Sequence, residues 1–512
     1  MNIKNNIIVL FFITFICSMT MEAQIQKMSD LSENKYLGLT TIYDDKGDDV
    51  WGYLSLYQKD KVEKNFLELE YVILDKNLNR VGSNTFTQFY VNTWLIDVYP
   101  SVGRALKKQN ILYLSIHFSG FRDVGSMFFR KINLDDFSIS DCEVVEGSQK
   151  KQFTDDKTFG KLNKIQSLYS LGRYGYIGYN GKNKSDRYGN FYLDVSDFEV
   201  YDIDLNKKWS LVYEKTKKIK EEYAVARVSE KYLVLQKSVK SKENKNKWHS
   251  TLEVYEINNG NKILTIERKD NEYLYAEDRL AIKDDQLIIY DMVFSHNKKE
   301  ERNYNSILGY SKREYDLVSK TLTDQKTLKW EAFKGHLNID QFGKIDGDFY
   351  IHPTGITTTS TGKTVMVYEG FKPTRNTHIL DLYMVELDEE FKVRSFLKIN
   401  KFKNKINKLE AYGKYLQSNG YFDYLYAQKI KGDDYAYFYQ DNEKEMGLLT
   451  KLKANNWVLG IVTYSEGQFS LQKINLKTGE GKISTMSAKN GYILLREVTD
   501  KETELRLEKI NY

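Results

Sequence analysis

Apolar and polar residues alternate along short stretches of the chain, most clearly at 198–214, FEVYDIDLNKKWSLVYE. Every second residue from Tyr201 to Leu205 is apolar, and so is every second residue from Trp209 to Tyr213. A period of two places such side chains on one face of a β-strand. The polar residues between the two runs predict a reversal at 205–208, so the stretch predicts a β-hairpin.

The same pattern recurs along the chain, at 69–81, 127–139, 251–266, 314–322, 382–393, 469–483 and 505–512. The last apolar residues before each turn are Leu74, Ile132, Ile203, Ile257, Leu317, Leu387, Ile474 and Ile510. Most of these positions are preceded by a further strand-like run, so each repeat predicts a small antiparallel sheet. A sheet of this size cannot bury both of its faces alone and has to stack against its neighbours.

We therefore predict an all-β fold, a β-propeller of about seven blades within a range of six to eight. Eight is the nearest rival to seven, and a long sandwich or two barrels are the alternative architectures. The last interval between repeats is too short for a whole blade. We expect the strands of 490–512 to complete a sheet with the N-terminal strand and close the ring.

One stretch breaks the alternation, at 400–418. Phe402, Ile406, Leu409 and Leu416 follow helical spacing there, and five lysines take the other faces. This predicts one short helical insertion. A basic helix on a membrane or in a partner's groove is the functional interpretation, and a surface helix with a solvated lysine face is the structural one.

Residues 1–23 are typical of a cleaved secretory signal peptide. Lys4 precedes an apolar run from Ile7 to Met19, and Ala23 stands at the expected cleavage point. The run is too short to span a bilayer. We expect 24–512 to form a single propeller domain, because no Pro-rich linker divides the chain.

The net charge of the chain limits the kinds of partner it can bind, and its cysteine content limits its disulfides. Removing 1–23 takes away Lys4 and Glu22, so the formal net charge of +5 does not change. A mixed surface of this kind argues against nucleic acid as a partner. Cys142 is the only cysteine left, which excludes an internal disulfide.

Two motif-like stretches have structural interpretations. The segment 355–364, GITTTSTGKT, ends like a phosphate-binding loop, but Thr357 stands where that motif needs glycine and a strand follows instead of a helix. We interpret 361–363 as a turn. The segment 43–52, YDDKGDDVWG, resembles an Asp-box turn, but its Trp51 is displaced by one residue. Asp44, Asp45, Asp48 and Asp49 offer oxygen ligands for calcium, although a solvated acidic turn is favoured.

Candidate chemical groups are sparse. His336 and His352 flank Asp340, Asp346 and Asp348, a mixture found in metal and acid/base sites, but they lack the short spacing of a ligand pair. The acidic neighbours of Cys142 raise the pKa of a thiol. The sequence therefore nominates no catalytic, cofactor-binding or metal-binding residue. Tyrosine-rich stretches at 174–181 and 422–428 offer contact area for a protein or a glycan.

The end of the signal, Met21-Glu22-Ala23-Gln24, the Lys, Asn and Tyr richness and repeats such as YDIDLNKKW resemble uncharacterised exported propeller-like proteins of Gram-negative, Bacteroidota-type envelopes. The resemblance covers the full length and assigns no functional residue. It implies a periplasmic or envelope-associated location.

Three functions remain open at this point, the third being a purely structural role in the envelope. The first is a non-enzymatic propeller that binds an envelope or outer-membrane protein, and that occludes or regulates an outer-membrane translocon from the periplasm. The second is a glycan-binding or glycan-cleaving propeller, which we expect to gather acids and aromatics at the central funnel.

Overall fold

The computed structural model describes residues 24–47, 49–63, 66–89, 91–92, 97–98, 100–118, 128–153, 165–185, 191–212, 219–241, 248–295, 307–406, 410–444, 455–476 and 482–510. The predicted signal peptide at 1–23 lies outside the described residues, as does Asp48 of the acidic turn. None of the helices in the described part of the chain is long and apolar enough to cross a membrane.

The described strands form eight successive antiparallel sheets, numbered here along the chain. Sheet 1 contains Lys35–Tyr43, Val50–Glu63, Phe66–Asp75 and Arg80–Phe89. Sheet 2 contains Pro100–Lys108, Ile111–Phe118, Phe128–Asn133, Cys142–Glu146 and Gln149–Phe153. Sheet 3 contains Leu168–Ser170, Tyr176–Ser185, Phe191–Tyr201 and Lys207–Val212. Sheet 4 contains Ile219–Val228, Tyr232–Ser241, Trp248–Glu256 and Lys262–Glu267.

Sheet 5 contains Tyr273–Lys283, Gln286–Ser295, Gly309–Asp316 and Thr321–Lys329. Sheet 6 contains Phe349–Thr358, Thr364–Lys372, Thr377–Leu387 and Val393–Ile399, with the short strands Lys344–Ile345 and Asn404–Ile406. Sheet 7 contains Tyr424–Lys431, Asp434–Lys444, Asn455–Ser465 and Gln468–Leu476. Sheet 8 contains Lys482–Ser487, Tyr492–Val498, Thr503–Lys509 and the N-terminal Gln24–Lys27. Val91–Asn92 pairs with Asp97–Val98, and 3-10 turns occupy Met28–Asp30, Gly172–Tyr174 and Trp330–Phe333.

Consecutive sheets pack face to face all the way round. Each of eight buried apolar clusters in the described chain draws side chains from two neighbouring sheets, including the last and the first. Representative pairs are Ile73 and Leu114, Phe129 and Tyr176, Phe198 and Tyr223, Leu252 and Ile289, Tyr310 and Tyr368, Val367 and Val462, Phe438 and Leu495, and Leu494 and Tyr53. The fold is a β-propeller, which confirms the predicted fold class, and the described chain has eight blades, within the predicted range of six to eight.

The N-terminal strand completes the last sheet. Gln24 lies opposite Leu507 and Lys27 opposite Glu504 in an antiparallel ladder. The first strand of sheet 1 also pairs, in parallel, with the first strand of sheet 2, which joins these two blades into one hydrogen-bonded sheet. First strands of neighbouring sheets contact each other at other places in the ring as well. We call them the inner strands, because they line the axis.

Six inner strands carry a β-bulge against the second strand of their sheet. The extra residues are Leu37, Gly103, Ala226, Asp278, Thr354 and Leu425. A bulge bends a strand and redirects the side chains beside it. Because the bulge recurs at equivalent positions of these strands, side chains are redirected at equivalent points of the axial wall, which the inner strands form.

The turn of the hairpin at 198–214 lies earlier in the chain than the sequence predicted. In 198–214 the reversal occupies Asp202 to Asn206, three residues before the predicted start. The Asp202 carboxylate accepts the backbone N–H groups of Asp204 and Asn206 at 2.9 and 2.8 Å. Leu205 has a left-handed backbone with φ of 65° and is 2% exposed. The apolar alternation in the sequence therefore includes a turn residue, Leu205, because the side chain of Leu205 is buried in the core.

Candidate functional site

A pocket of about 440 Å³ opens at the inner strands of sheets 5, 6 and 7. Its lining residues are Arg279, Thr354, Gly355, Ile356, Thr357, Gln417, Gly420, Phe422, Tyr424, Leu425, Tyr426 and Ala427. Pockets that hold small ligands or peptide side chains are typically several hundred Å³ in volume. Two other pockets, beside Asn110 and beside Arg173, are larger at about 550 and 560 Å³, so its position at the axis makes this pocket the candidate binding site.

Arg279 supplies the positive charge of this pocket. It follows the bulged Asp278, and it is exposed. Its Nη2 donates to the carbonyl oxygen of Thr354 at 2.9 Å, and no carboxylate of the described residues pairs with it. Its remaining N–H groups are therefore available to an acceptor that enters the pocket.

Tyrosines form the wall from sheet 7. Burial raises the pKa of the Tyr424 phenol, and the Arg279 guanidinium opposes this shift. A Cβ at Gly355 would lie 2.6 Å from the Tyr424 ring, so only glycine admits the ring there. Tyr426 donates to the carbonyl oxygen of Met486 at 3.3 Å, which ties the wall to sheet 8. The tyrosine stretch 422–428 singled out in the sequence thus contributes directly to the pocket.

The rim comes from the connection between sheets 6 and 7 and from Leu425 in the first strand of sheet 7. The predicted helix at 400–418 is reduced to Gly413–Ser418, and Asn404–Ile406 is instead a strand that pairs with Thr377–Leu387. Residues 407–409 lie outside the described residues. The rings of Tyr415 and Tyr421 stack with centroids 6.4 Å apart. Tyr421 is 39% and Leu425 is 40% exposed, so the rim presents apolar contact area.

A buried polar cluster holds the helix over sheet 6. His352 is 1% exposed, and burial lowers its pKa to about 4, so its imidazole is neutral near pH 7. His352 Nε2 donates to Gln417 Oε1 at 3.3 Å, and Gln417 Nε2 donates to the carbonyl oxygen of Pro353 at 3.2 Å. Lys414 Nζ lies 3.1 Å from Asp278 Oδ1, which links the helix to the inner strand that carries Arg279.

A second buried network fixes both ends of the same connection. Lys401 Nζ lies 2.7 Å from Glu369 Oε1 and also forms an ion pair with Asp423. Glu369 further accepts the backbone N–H of Asp423 at 2.9 Å. Burial raises the pKa of Glu369 to about 7, although Lys401 opposes this shift. The expectation of a solvated lysine face is therefore wrong for Lys401, whose side chain is fully buried.

The histidines and acids nominated as a possible metal or acid/base group are not brought together. His336 stacks on Phe396 with centroids 4.8 Å apart, whereas His352 stacks on Phe422. The acids have separate structural roles: Asp340 caps the turn to Lys344, Asp346 accepts from Asn338, and Asp348 pairs with Lys372.

The two motif-like segments are both turns. Thr359 N donates to the carbonyl oxygen of Lys363 at 2.9 Å and Thr364 begins a strand, which confirms the interpretation of 361–363 as a turn. In the acidic segment, Asp45 Oδ1 accepts from Lys107 Nζ at 2.9 Å. This aspartate therefore bridges to sheet 2 rather than facing solvent alone.

Cys142 is buried in the core between sheets 1 and 2. Burial raises the pKa of its thiol to about 11. The predicted direction is confirmed, but burial is the main cause and the acidic neighbours are not.

Several residues of the site were missed by sequence reasoning, namely Arg279, Asp278, Lys414 and Gln417. The repeats were aligned on their third strands, and the inner strands were never compared. Such a comparison shows arginine at corresponding points in GRAL (103–106), ARVS (226–229) and DRLA (278–281). That recurrence was the available signal.

The sequence model of a family described as "Family of unknown function (DUF6770)" matches residues 142–378 and 373–511. The chain belongs to this family. The two matches cover sheets 3 to 8 almost entirely, together with the last two strands of sheet 2, so the family includes the whole candidate site. No curated protein matches the chain.

Solved structures that resemble the chain are remote. The quinohemoprotein alcohol dehydrogenase ADHIIG from Pseudomonas putida HK5 is 9% identical with a TM-score of 0.34, and the match covers 77% of this chain and 63% of the dehydrogenase. A PL25 ulvan lyase is 9% identical with a TM-score of 0.35, over 79% of this chain and 91% of the lyase. A neuraminidase-like N11 protein of A/flat-faced bat/Peru/033/2010 is 8% identical with a TM-score of 0.27, over 70% and 84%. These similarities carry no argument about ligand or reaction.

Proposed function

We propose that this chain is a non-enzymatic binding propeller of the cell envelope, exported by the signal at 1–23, that docks an envelope protein. Its place is the periplasm, where the partner is an outer-membrane translocon that the propeller occludes or regulates. Docking is supported by the exposed apolar side chains of Tyr421 and Leu425 at the rim of the pocket. They lie beside Arg279, which pairs with no carboxylate of the described residues. Aromatic and arginine side chains at the centre of an interface carry much of its binding energy.

Co-purification after cross-linking in the native host tests the docking. We expect the tagged chain to recover one outer-membrane protein in a fixed ratio, and the double variant Tyr421→Ala, Leu425→Ala to lose most of it. Val318→Ala, Leu322→Ala is the matched control. These residues are 69% and 46% exposed, but they lie at the turn between the third and fourth strands of sheet 5. Equal recovery by both double variants would contradict docking at the rim.

Fractionation tests the location. We expect the chain in the periplasmic or membrane fraction with Gln24 as its first residue, as measured by mass spectrometry of the intact protein. A cytoplasmic chain that retains 1–23 would contradict the proposed export.

Glycan binding is a second candidate, favoured by the tyrosine wall of the pocket. Tyr424 and Tyr426 line a space of about 440 Å³ together with the polar Gln417. A glycan array would decide between the two functions. A bound glycan whose retention depends on Tyr424, with no protein partner recovered, would favour this candidate over docking.

A further inference from the structure

Three inner strands carry an exposed arginine at the same point of the repeat. Arg104, Arg227 and Arg279 each follow the bulged residue of their strand, in sheets 2, 4 and 5. All three are exposed. Because the bulges occupy corresponding positions on strands that line the axis, the repeat places the three residues at a similar level of the axial wall.

These arginines have no anionic partner among the described residues. Arg104 Nη1 donates to Ser170 Oγ at 2.9 Å, and Arg279 donates to a carbonyl oxygen. Nearby acids on the inner strands pair with other cations: Glu277 with Arg268, Asp278 with Lys414, and Glu221 with Lys237. The wall therefore carries positive charge that the described protein does not neutralise.

The chemistry of the wall indicates the kind of anion. A guanidinium is a planar fork that matches a carboxylate with two parallel hydrogen bonds. Exposed aliphatic side chains also lie on inner strands, since Val225, on the strand of Arg227, is 37% exposed and Leu425, in sheet 7, is 40% exposed. Such side chains can contact the apolar side chains of a peptide.

We propose that the space enclosed by the inner strands, which we call the axial channel, binds an acidic segment of a partner polypeptide, in which carboxylate side chains alternate with apolar ones. The carboxylates engage Arg104, Arg227 and Arg279, and the apolar side chains contact Val225 and Leu425. This inference rests on the proposed function, and it names the chemistry of the docked partner.

Fluorescence anisotropy with the full mature chain tests the channel. The probe is a short labelled peptide of alternating glutamate and leucine, compared with the same peptide carrying glutamine. We expect tighter binding of the glutamate peptide, weakened by added salt. The triple variant R104Q/R227Q/R279Q should bind it roughly tenfold to a hundredfold more weakly, because it removes three partly exposed ion pairs.

The matched control is R80Q/R375Q/R394Q. It makes the same change in net charge at three exposed arginines, none of which lies on an inner strand. We expect it to bind like the wild type. Should the first triple variant fail to fold by circular dichroism, the three single variants replace it, each expected to lose part of the affinity.

Two results would overturn the inference. One is equal affinity for the two peptides, or equal binding by the two triple variants. The other is tighter, arginine-dependent binding of polygalacturonate, which would assign the channel to an anionic glycan.

The same variants separate this inference from the docking proposal. If R104Q/R227Q/R279Q recovers the cross-linked envelope partner as well as the wild type does, docking stands and the channel inference is wrong. If the glutamate peptide binds but no envelope partner is recovered, the channel inference stands and docking is wrong.

Discussion

Leu78, Leu205 and Phe391 adopt left-handed backbone conformations that bulky residues rarely adopt, with φ of 66°, 65° and 60°. Each is at most 2% exposed. Each lies three residues after an aspartate, Asp75, Asp202 or Asp388, whose backbone N–H and C=O close the turn. Core burial and the closed turn together offset the cost of the conformation.

Asp75→Ala should lower the free energy of unfolding by about 1 kcal/mol, the usual cost of losing a side-chain cap. Asp75 Oδ1 accepts the backbone N–H groups of Asn77 at 2.7 Å and Asn79 at 2.9 Å, and alanine offers no acceptor. Urea unfolding followed by tryptophan fluorescence measures the change. Asp75→Asn keeps one acceptor oxygen and should lose less. Equal losses for the two variants would show that the capping bonds are not the cause.

The buried Glu369 makes stability depend on pH. Its pKa is raised by burial from 4.5 to about 7, so the folded state holds a proton that the unfolded state releases between these values. Its contribution to stability is therefore fully present below about pH 4.5 and is lost as pH rises towards 7.

Glu369→Gln should reduce this loss. We expect the fall in unfolding free energy between about pH 5 and pH 8 to shrink by roughly 1 to 3 kcal/mol. Urea midpoints at several pH values measure it. Glu410→Gln, at an exposed position, is the control and should follow the wild type. If the two variants had the same pH profile, Glu369 would not be the group responsible.

At the scale of elements, the connection between sheets 6 and 7 departs most from its sequence pattern. Phe402, Ile406 and Leu416 follow helical spacing, but Ile406 pairs with Thr377 in a strand and only Leu416 lies in the helix. Leu416 is buried and Ile406 is partly buried in the same apolar cluster, although the two residues belong to different elements, which periodicity alone does not reveal. The burial of Lys401 was not predictable from the sequence pattern either, because its acidic partners come from distant positions in the chain.

Gly413→Ala should detach the helix Gly413–Ser418 from sheet 6. A Cβ at this position would meet His352 Nδ1 at 2.4 Å, within a buried stack that cannot give way easily. We expect faster amide hydrogen exchange across 410–423 and weaker retention of the docking partner. Gly335→Ala, where a Cβ has open space, is the control. Unchanged exchange in Gly413→Ala would show that the helix tolerates the displacement.

For the whole molecule, alternation and repeats were enough to predict an all-β propeller but not its blade number. Most of the chosen repeat residues end third strands, such as Leu74 and Leu387, whereas Ile474 lies in the fourth strand of sheet 7. Because Ile474 lies one strand later than the other repeat residues, the sequence interval before it is long and the interval after it is short. The short last interval concealed the eighth blade. The site was less predictable, because its residues come together only when inner strands of different sheets meet.

A chain that begins at Met28, without Gln24–Lys27, should melt roughly 2 °C lower, as expected for a loss of about 2 kcal/mol in a domain of this size. It leaves the outer edge of Thr503–Lys509 unpaired, and such edges associate with other chains. Calorimetry and light scattering over a concentration series measure both effects. Ile25→Thr, which keeps the strand, should change neither the melting temperature nor the association between chains. Melting and association like the wild type would show that this strand is dispensable.

The pairing of Gln24 with Leu507 also sets an order of events during biosynthesis. The strand Gln24–Lys27 is synthesised long before Thr503–Lys509, and nearly all of the described chain separates the two strands in sequence. Until Thr503–Lys509 has been synthesised, the eighth blade is incomplete and the ring cannot close. The topology therefore delays ring closure until this strand of the eighth blade is available.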